Sequence, residues 1–364
     1  MSNVSDNPLG LDGFEFVEFT SPEPGKMIDL IEKLGFTATA THPTRDVVRF
    51  KQGRINLLVN RDPAGQGAEF RAAHGPSANG MAFRVADAKR AFEMALERGA
   101  RAADASKGVL GSDSFALEGI GGSLLYLVDR HGAKGSLYDD WRPVPGAEEA
   151  EAKNSVGLDL LDHLTHNVRR GEMRTWSGFY ERIFGFQEQK FFDIKGQATG
   201  LFSQAMIAPD RAIRIPLNES QDENSQIEEF IRQYNGEGIQ HLALTTEDIY
   251  TTIDKLRANG VIFQDTIETY YELVDKRVGP HKEDLAALRK NRILIDGNEK
   301  EGFLLQIFTD NLFGPIFFEI IQRKGNEGFG NGNFQALFES IELDQIRRGV
   351  INVPAAGPAT PATP

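Results

Sequence analysis

Residues 82–100, AFRVADAKRAFEMALERGA, and residues 243–261, ALTTEDIYTTIDKLRANGV, are one pattern written twice. Each opens as a strand, meets an aspartate, and runs into a stretch of helical periodicity closed by a glycine. The likeness continues on both sides. SLLYLVDR (123–130) matches FFEIIQR (317–323). The strand GFEFVEF (13–19) leads to a helical MIDLIEKLG (27–35), as LDHLTHNV (161–168) leads to TWSGFYERIFG (175–185). Further strands are expected at VVRFKQ, RINLLVN and GMAFRV in the first half. In the second they are expected at GLFSQAMIA, AIRIPLNE, GIQHLALTT, FLLQIFT and IFFEIIQR. Strand, helix, then several strands is the order, and each half contains it twice. A repeat of this kind constrains the architecture before any single element does.

The chain has 364 residues, 40% of them hydrophobic, enough for two or three sizeable cores. No apolar run approaches the ~20 residues that span a bilayer. MSNVSDNPLGLDG at the start has neither the basic nor the apolar region of a signal peptide. With no cysteine there is no disulfide framework and no thiolate metal site. Together these features lead us to expect a cytoplasmic protein. Net charge is −13 and the pI about 5.1. The paired arginines Arg169–Arg170 and Arg347–Arg348 are too short to form the basic face of a nucleic-acid binder. An acidic surface also steers anions poorly, so an anionic substrate needs a local attractor. A buried divalent metal is one.

Three residues fit that need. His163, His241 and Glu319 lie on three strand-like segments, 78 positions from one to the next. Two imidazoles and a carboxylate with open positions are the ligand set of non-haem Fe(II) oxygenases. The repeat sets Phe16 opposite His163, Gly80 opposite His241 and Tyr126 opposite Glu319, so the first half lacks all three. A solely structural role predicts no such asymmetry. The plainer alternative is a pair of hydrogen-bonded interior histidines. It leaves Glu319 in PIFFEIIQ, where an unpaired carboxylate is costly to bury. His42, His74, His131 and His281 sit in polar, loop-like contexts. His166, three residues past His163, belongs on the opposite sheet face.

Amides and hydroxyls surround these segments. Gln306 interrupts FLLQIF, Gln240 precedes His241, Gln226 opens SQIEEFIRQY, and Ser203 and Asn218 lie on or beside middle strands. Each reads either as a satisfied core group or as part of a pocket. Most of the 25 phenylalanines are ordinary core. Phe308 shares a strand face with Gln306, and Phe317 with Glu319. Phe329, between glycines in EGFGNGNF, is placed to stack on an aromatic ligand. A helix over 334–348, N-capped by Asn333 and stopped by Gly349, reads equally as a lid and as permanent packing. Residues 146–156, GAEEAEAKNSV, read as the end of a linker, and 354–364, PAAGPATPATP, as a disordered tail. The domains expected are 10–145 and 157–350.

GIQHLAL, LLQIFT, FFEIIQRKG and EGFGNGNFQALFESIE resemble the hallmark stretches of the 4-hydroxyphenylpyruvate dioxygenase family, within the vicinal oxygen chelate superfamily. The resemblance covers nearly the whole chain and is strongest over 157–350. It implies an α+β fold of two tandem open β-barrel domains built from βαβββ modules. In this likeness 10–145 is a degenerate structural copy, and 157–350 carries the Fe(II) site and a C-terminal lid helix. It implies one Fe(II) per subunit on His163, His241 and Glu319. Gln226, Gln240 and Gln306 become catalytic groups. Ser203, Asn218, Phe308, Phe317, Phe329, Asn333 and Phe334 become substrate contacts, with Phe308 and Phe329 sandwiching the ring. The implied reaction turns 4-hydroxyphenylpyruvate and O₂ into homogentisate and CO₂, in tyrosine and phenylalanine catabolism. It proceeds by oxidative decarboxylation, ring hydroxylation and side-chain migration. Likeness to bacterial members implies a homo-oligomer, a tetramer. Two rivals share the scaffold. One is 4-hydroxymandelate synthase, which hydroxylates the benzylic carbon; the other is a non-enzymatic binding protein, which can do without the metal triad.

Overall fold

In a computed structural model of the chain, residues 7–195, 199–266, 268–272, 274–330, 332, 333, 335, 345, 346 and 348–350 are described. Phe334, most of the expected helix 334–348 and the whole of 354–364 lie outside them.

Among the described residues the repeat forms two eight-stranded sheets. The first contains β1 (Leu11–Thr20), β2 (Thr37–Thr41), β3 (Val47–Gln52), β4 (Ile55–Asn60), β5 (Ser77–Val85), β6 (Phe115–Glu118), β7 (Leu124–Val128) and the short β8 (Arg142–Pro143). The second contains β9 (Leu158–Val168), β10 (Gln187–Lys195), β11 (Gly200–Ile207), β12 (Arg214–Ser220), β13 (Gly238–Thr246), β14 (Leu294–Asn298), β15 (Gly302–Phe308) and β16 (Phe317–Lys324). The two are built alike. β1 and β5 pair antiparallel at the centre, flanked in parallel by β4 and β7. β9 and β13 do the same, flanked by β12 and β16. Each half thus joins two modules through their first strands. The α+β fold with curled, barrel-like sheets is the one the repeat and the resemblance led us to expect.

Local chemistry explains why the quoted stretches fold alike. Asp87 caps the helix Ala88–Glu97 by accepting from the Arg90 amide. Asp248 caps Ile249–Ala258 by accepting from the Tyr250 and Thr251 amides. Gly99 and Gly260 follow these helices at φ 91° and 84°, a left-handed stop that side chains resist.

The segment read as a linker differs from expectation. Ala147–Asn154 is a helix, with Glu148 and Glu149 in its first turn and Lys153 in its last. That charge order complements the helix dipole. Its alanines favour helix without any buried stripe, so apolar periodicity gave no sign of it. The helices within 268–291 were likewise not anticipated.

One apolar cluster runs through both halves. Phe19 of β1 lies 5.3 Å from Phe313 and 6.4 Å from Phe318. Phe83 of β5 lies 5.4 Å from Phe184. His74 stacks on Tyr234, and its Nδ1 is 2.7 Å from the Tyr234 carbonyl oxygen. The halves therefore share a core. Phe19→Ala should cost about 3–5 kcal/mol and lower the unfolding midpoint of the whole chain in a single transition. Two separated transitions in denaturant would show that the halves fold independently.

Candidate metal centre

His163, His241 and Glu319 meet. They are buried, and one ligand atom from each lies within 4.8 Å of the others. The sheet register explains the meeting. Ala243 of β13 pairs with His163 on one side and Glu319 on the other. Adjacent strands are about 4.8 Å apart, so those two backbones flank a gap of roughly 10 Å. Only a methyl group stands between them, and the long side chains lean together over it. His163 Nε2 is 3.1 Å from Glu319 Oε2. His241, two residues before Ala243, joins from the same face with Nε2 at 3.4 Å.

Each histidine is oriented by the residue before it, through a β-bulge. On β9 the register steps from Leu161↔Leu244 to His163↔Ala243, leaving Asp162 as an extra residue. On β13 it steps from Ile239↔His166 to His241↔Thr165, leaving Gln240 extra. A bulge re-aims a side chain, and both bulged residues reach their neighbouring ring. Asp162 Oδ2 is 2.9 Å from His163 Nδ1, and Gln240 Oε1 is 3.0 Å from His241 Nδ1. Protons on both Nδ1 atoms leave both Nε2 lone pairs facing the carboxylate, as a metal requires. Gln306 Nε2 donates to Glu319 Oε1 at 2.6 Å, leaving Oε2 turned to the histidines.

The electrostatics follow from this wiring. Burial raises the Glu319 carboxyl, but the adjacent His163 and His241 outweigh it and hold it at about 2. Burial likewise opposes the charge on Asp162, yet Arg323 and His163 keep that carboxyl well below the usual range. His163 is raised despite burial, since Glu319 and Asp162 both favour its charged form. His241 is lowered by burial, its Nδ1 partner being a neutral amide. An anionic carboxylate and two imidazoles with matched open nitrogens fit a divalent cation.

The triad opens onto a narrow cavity. Thr165, Phe192, Ser203, Ala205, Pro216, Gln306, Phe308 and Phe329 line it with the triad. Phe329 lies edge-on to His163 at 5.5 Å, and Phe308 edge-on to His241 at 6.5 Å. Phe317 stacks on His241 at 4.8 Å. Asn333 is buried and donates to Gln306 Oε1 at 2.8 Å, while Tyr270 donates to Asn333 Oδ1. Asn218 pairs with Ser203 across strands, one pleat beyond Pro216. Gln226 is not beside the triad. With Gln240 and Phe317, which both contact His241, it lines a separate, larger groove. His166 turns away, as its spacing predicts, and pairs with Tyr180 at 2.8 Å.

The sequence reading passed over Asp162, Arg214, Arg323, Thr165, Phe192, Ala205 and Pro216. Thr165 was within reach, since it shares a strand face with His163. A bulge hides Asp162 from the period-two rule, and the apolar lining looks like any core.

The comparisons agree with this geometry. The family described as hydroxyphenylpyruvate dioxygenase, N-terminal, matches residues 5–141. The glyoxalase/bleomycin resistance protein/dioxygenase superfamily matches 160–273. A 4-hydroxyphenylpyruvate dioxygenase from Pseudomonas aeruginosa is 58% identical over 352 residues, covering 95% of this chain and 97% of that protein. The chain belongs to the 4-hydroxyphenylpyruvate dioxygenase family. Membership in this dioxygenase family extends over both halves. A Vibrio vulnificus protein named hemolysin VllY is 57% identical, with 95% and 98% coverage. Among solved structures, a mutant 4-hydroxymandelate synthase from Streptomyces coelicolor superimposes with a TM-score of 0.79 at 25% identity, covering 92% of this chain and 99% of that one. Among the described residues, no helix is long and apolar enough to cross a membrane.

Two outcomes are expected. Ala243→Leu should wedge His163 and Glu319 apart, costing about 1–3 kcal/mol of stability and most of the divalent-metal affinity. Calorimetric titration with Co(II) checks it, and unchanged affinity would refute the convergence over Ala243. His166 supplies the second. Burial depresses it from 6.5 to about 3, so the unfolded chain takes up its proton first as pH falls. The folded state is unpenalised above about 6.5 and loses about 1.4 kcal/mol per pH unit below that, until about 3. Urea titrations of His166→Asn should show a flatter acid limb than the parent; parallel limbs would contradict the assignment.

Proposed function

We propose that this dioxygenase uses Fe(II), held by His163, His241 and Glu319, to convert 4-hydroxyphenylpyruvate and O₂ to homogentisate and CO₂. The observation that carries the reading is the buried triad opening on an aromatic-walled cavity in a chain 58% identical to a protein named for that substrate. Bound there, Fe(II) would supply a chelating centre for the α-keto acid and a position for O₂. The chain's residues do the rest. Asp162 and Gln240 keep the Nδ1 protons, and Gln306 keeps Glu319 in register. Phe308 and Phe329 hold the substrate ring between apolar faces. Phe192, Ala205 and Pro216 exclude water from the reacting carbon, while the Ser203 and Thr165 hydroxyls offer its oxygens hydrogen bonds. Asn218, Phe317 and Asn333 belong to the substrate surroundings in this reading, and Gln226, in the neighbouring groove, keeps the catalytic part that family likeness implies; Phe334 lies outside the described residues.

The first half takes the structural part in this reading. Its bulges persist, at Glu15 and Asn79, but Phe16 and Tyr126 lie ring to ring at 5.6 Å where the ligands would be. Glu18 Oε2 lies 3.0 Å from the point where a Gly80 side chain would begin. A place in tyrosine and phenylalanine catabolism, a cytoplasmic setting and a homotetramer belong to the same proposal. Composition supports the setting, and family likeness supports the pathway and the assembly.

Incubating iron-loaded protein with 4-hydroxyphenylpyruvate under O₂ should yield homogentisate by mass spectrometry. Glu319→Ala should yield none and retain no iron. 4-Hydroxymandelate as the product would establish the rival synthase activity, and no turnover by iron-replete protein would leave a binding protein.

A further inference from the structure

Four contacts close a ring around the metal centre. Arg323 forks onto Asp162, with Nε donating to Oδ1 at 2.9 Å and Nη2 to Oδ2 at 2.8 Å. Asp162 holds His163 Nδ1 at 2.9 Å. The remaining nitrogen of Arg323, Nη1, donates to the Asn326 and Gly328 carbonyl oxygens at 2.9 and 2.7 Å. The next residue is Phe329, whose ring returns to His163 at 5.5 Å. The loop is pinned on its other side as well. A side chain at Gly330 would start 2.2 Å from Gln306 Oε1, so the backbone there lies directly on the amide that holds Glu319. Arg214 strengthens the joint, bonding Asp162 Oδ1 at 3.0 Å and Glu327 Oε2 at 2.7 Å.

A buried ion pair is weak evidence for stability, because desolvation offsets its attraction. What this one supplies is direction. A guanidinium offers donors in a fixed planar fork, and Arg323 spends one edge on the carboxylate and the opposite nitrogen on loop carbonyls. A lysine ammonium has the charge but cannot span both. We propose that Arg323 is a positioning residue that sets, through one rigid group, both the aim of the His163 imidazole and the seat of the Phe329 ring. Metal geometry and ring recognition are then coupled. The inference rests on reading the triad as metal ligands.

The test uses full-length protein loaded with Co(II), without O₂, so that no turnover enters. Co(II) affinity and ligand-field bands report the metal site. The ratio of dissociation constants for pyruvate and phenylpyruvate, which differ by the ring, reports ring recognition. Arg323→Lys should weaken Co(II) binding about 10–100-fold, shift the bands and lower that ratio. Phe329→Ala should lower the ratio in the parent protein and add little in the Arg323→Lys background. Asp162→Asn removes the acceptor instead of the donor. It must give the same coupled loss, and decides the matter if the arginine variant does not fold. Parental Co(II) affinity and bands in both variants, or additive effects of Arg323→Lys and Phe329→Ala, would overturn the coupling. Glu319→Ala separates the two levels. Loss of Co(II) binding there upholds the triad whatever Arg323 does, and its retention overturns the triad and this inference with it.

Discussion

A carboxylate buried in a sheet interior has to be compensated, and Glu319 organises the second half around that need. It is 2% exposed and stays ionised. Without the imidazoles and the Gln306 amide, its desolvation would favour protonation or unfolding. The compensation spreads outward in layers. The imidazoles need their far nitrogens held, which brings Asp162 and Gln240 inward through bulges. Asp162 is then itself a buried charge, and two arginines answer it. Each layer solves the solvation problem left by the one inside it, and the last reaches the exposed side of Glu327.

The two halves show how little separates a site from its absence. Both sheets have the same strand order about their centres, and both bulges recur at equivalent positions. In the first half the bulged Glu15 meets Arg84 and Asn56, and Asn79 meets Glu18. Glu18 is wholly buried, and burial pushes its carboxyl up despite the hydrogen bonds from Asn60 and Asn79. The scaffold that bends the strands is general. What makes the candidate metal centre is the identity of three side chains on it.

This division explains what could be read in advance. The repeat, the helix caps at Asp87 and Asp248, and the glycine stops are local signals, so they are legible residue by residue. The triad was legible through its asymmetry, since His163, His241 and Glu319 break a repeat that otherwise holds. The bulges are not local. They appear only when two strands are laid in register, and a period-two reading turns Asp162 and Gln240 to the wrong face. Arg323 stands at the polar end of β16, where nothing in the sequence marks it off from an ordinary surface arginine. Phe192, Ala205 and Pro216 carry no mark that distinguishes a cavity wall from a core. The helix Ala147–Asn154 stayed hidden because alanine propensity and charge order, not burial, maintain it.

The shared core has a consequence for what the second half can do alone. Phe313 and Phe318 rest on Phe19, and Phe184 on Phe83. Severed from the first half, the catalytic sheet would expose that aromatic seam to water and to other copies of itself. The half without the triad thus covers an apolar surface that its neighbour would otherwise leave bare. A substitution far from the triad, on the face of β1 or β5, could abolish function through solubility alone while leaving His163, His241 and Glu319 in place.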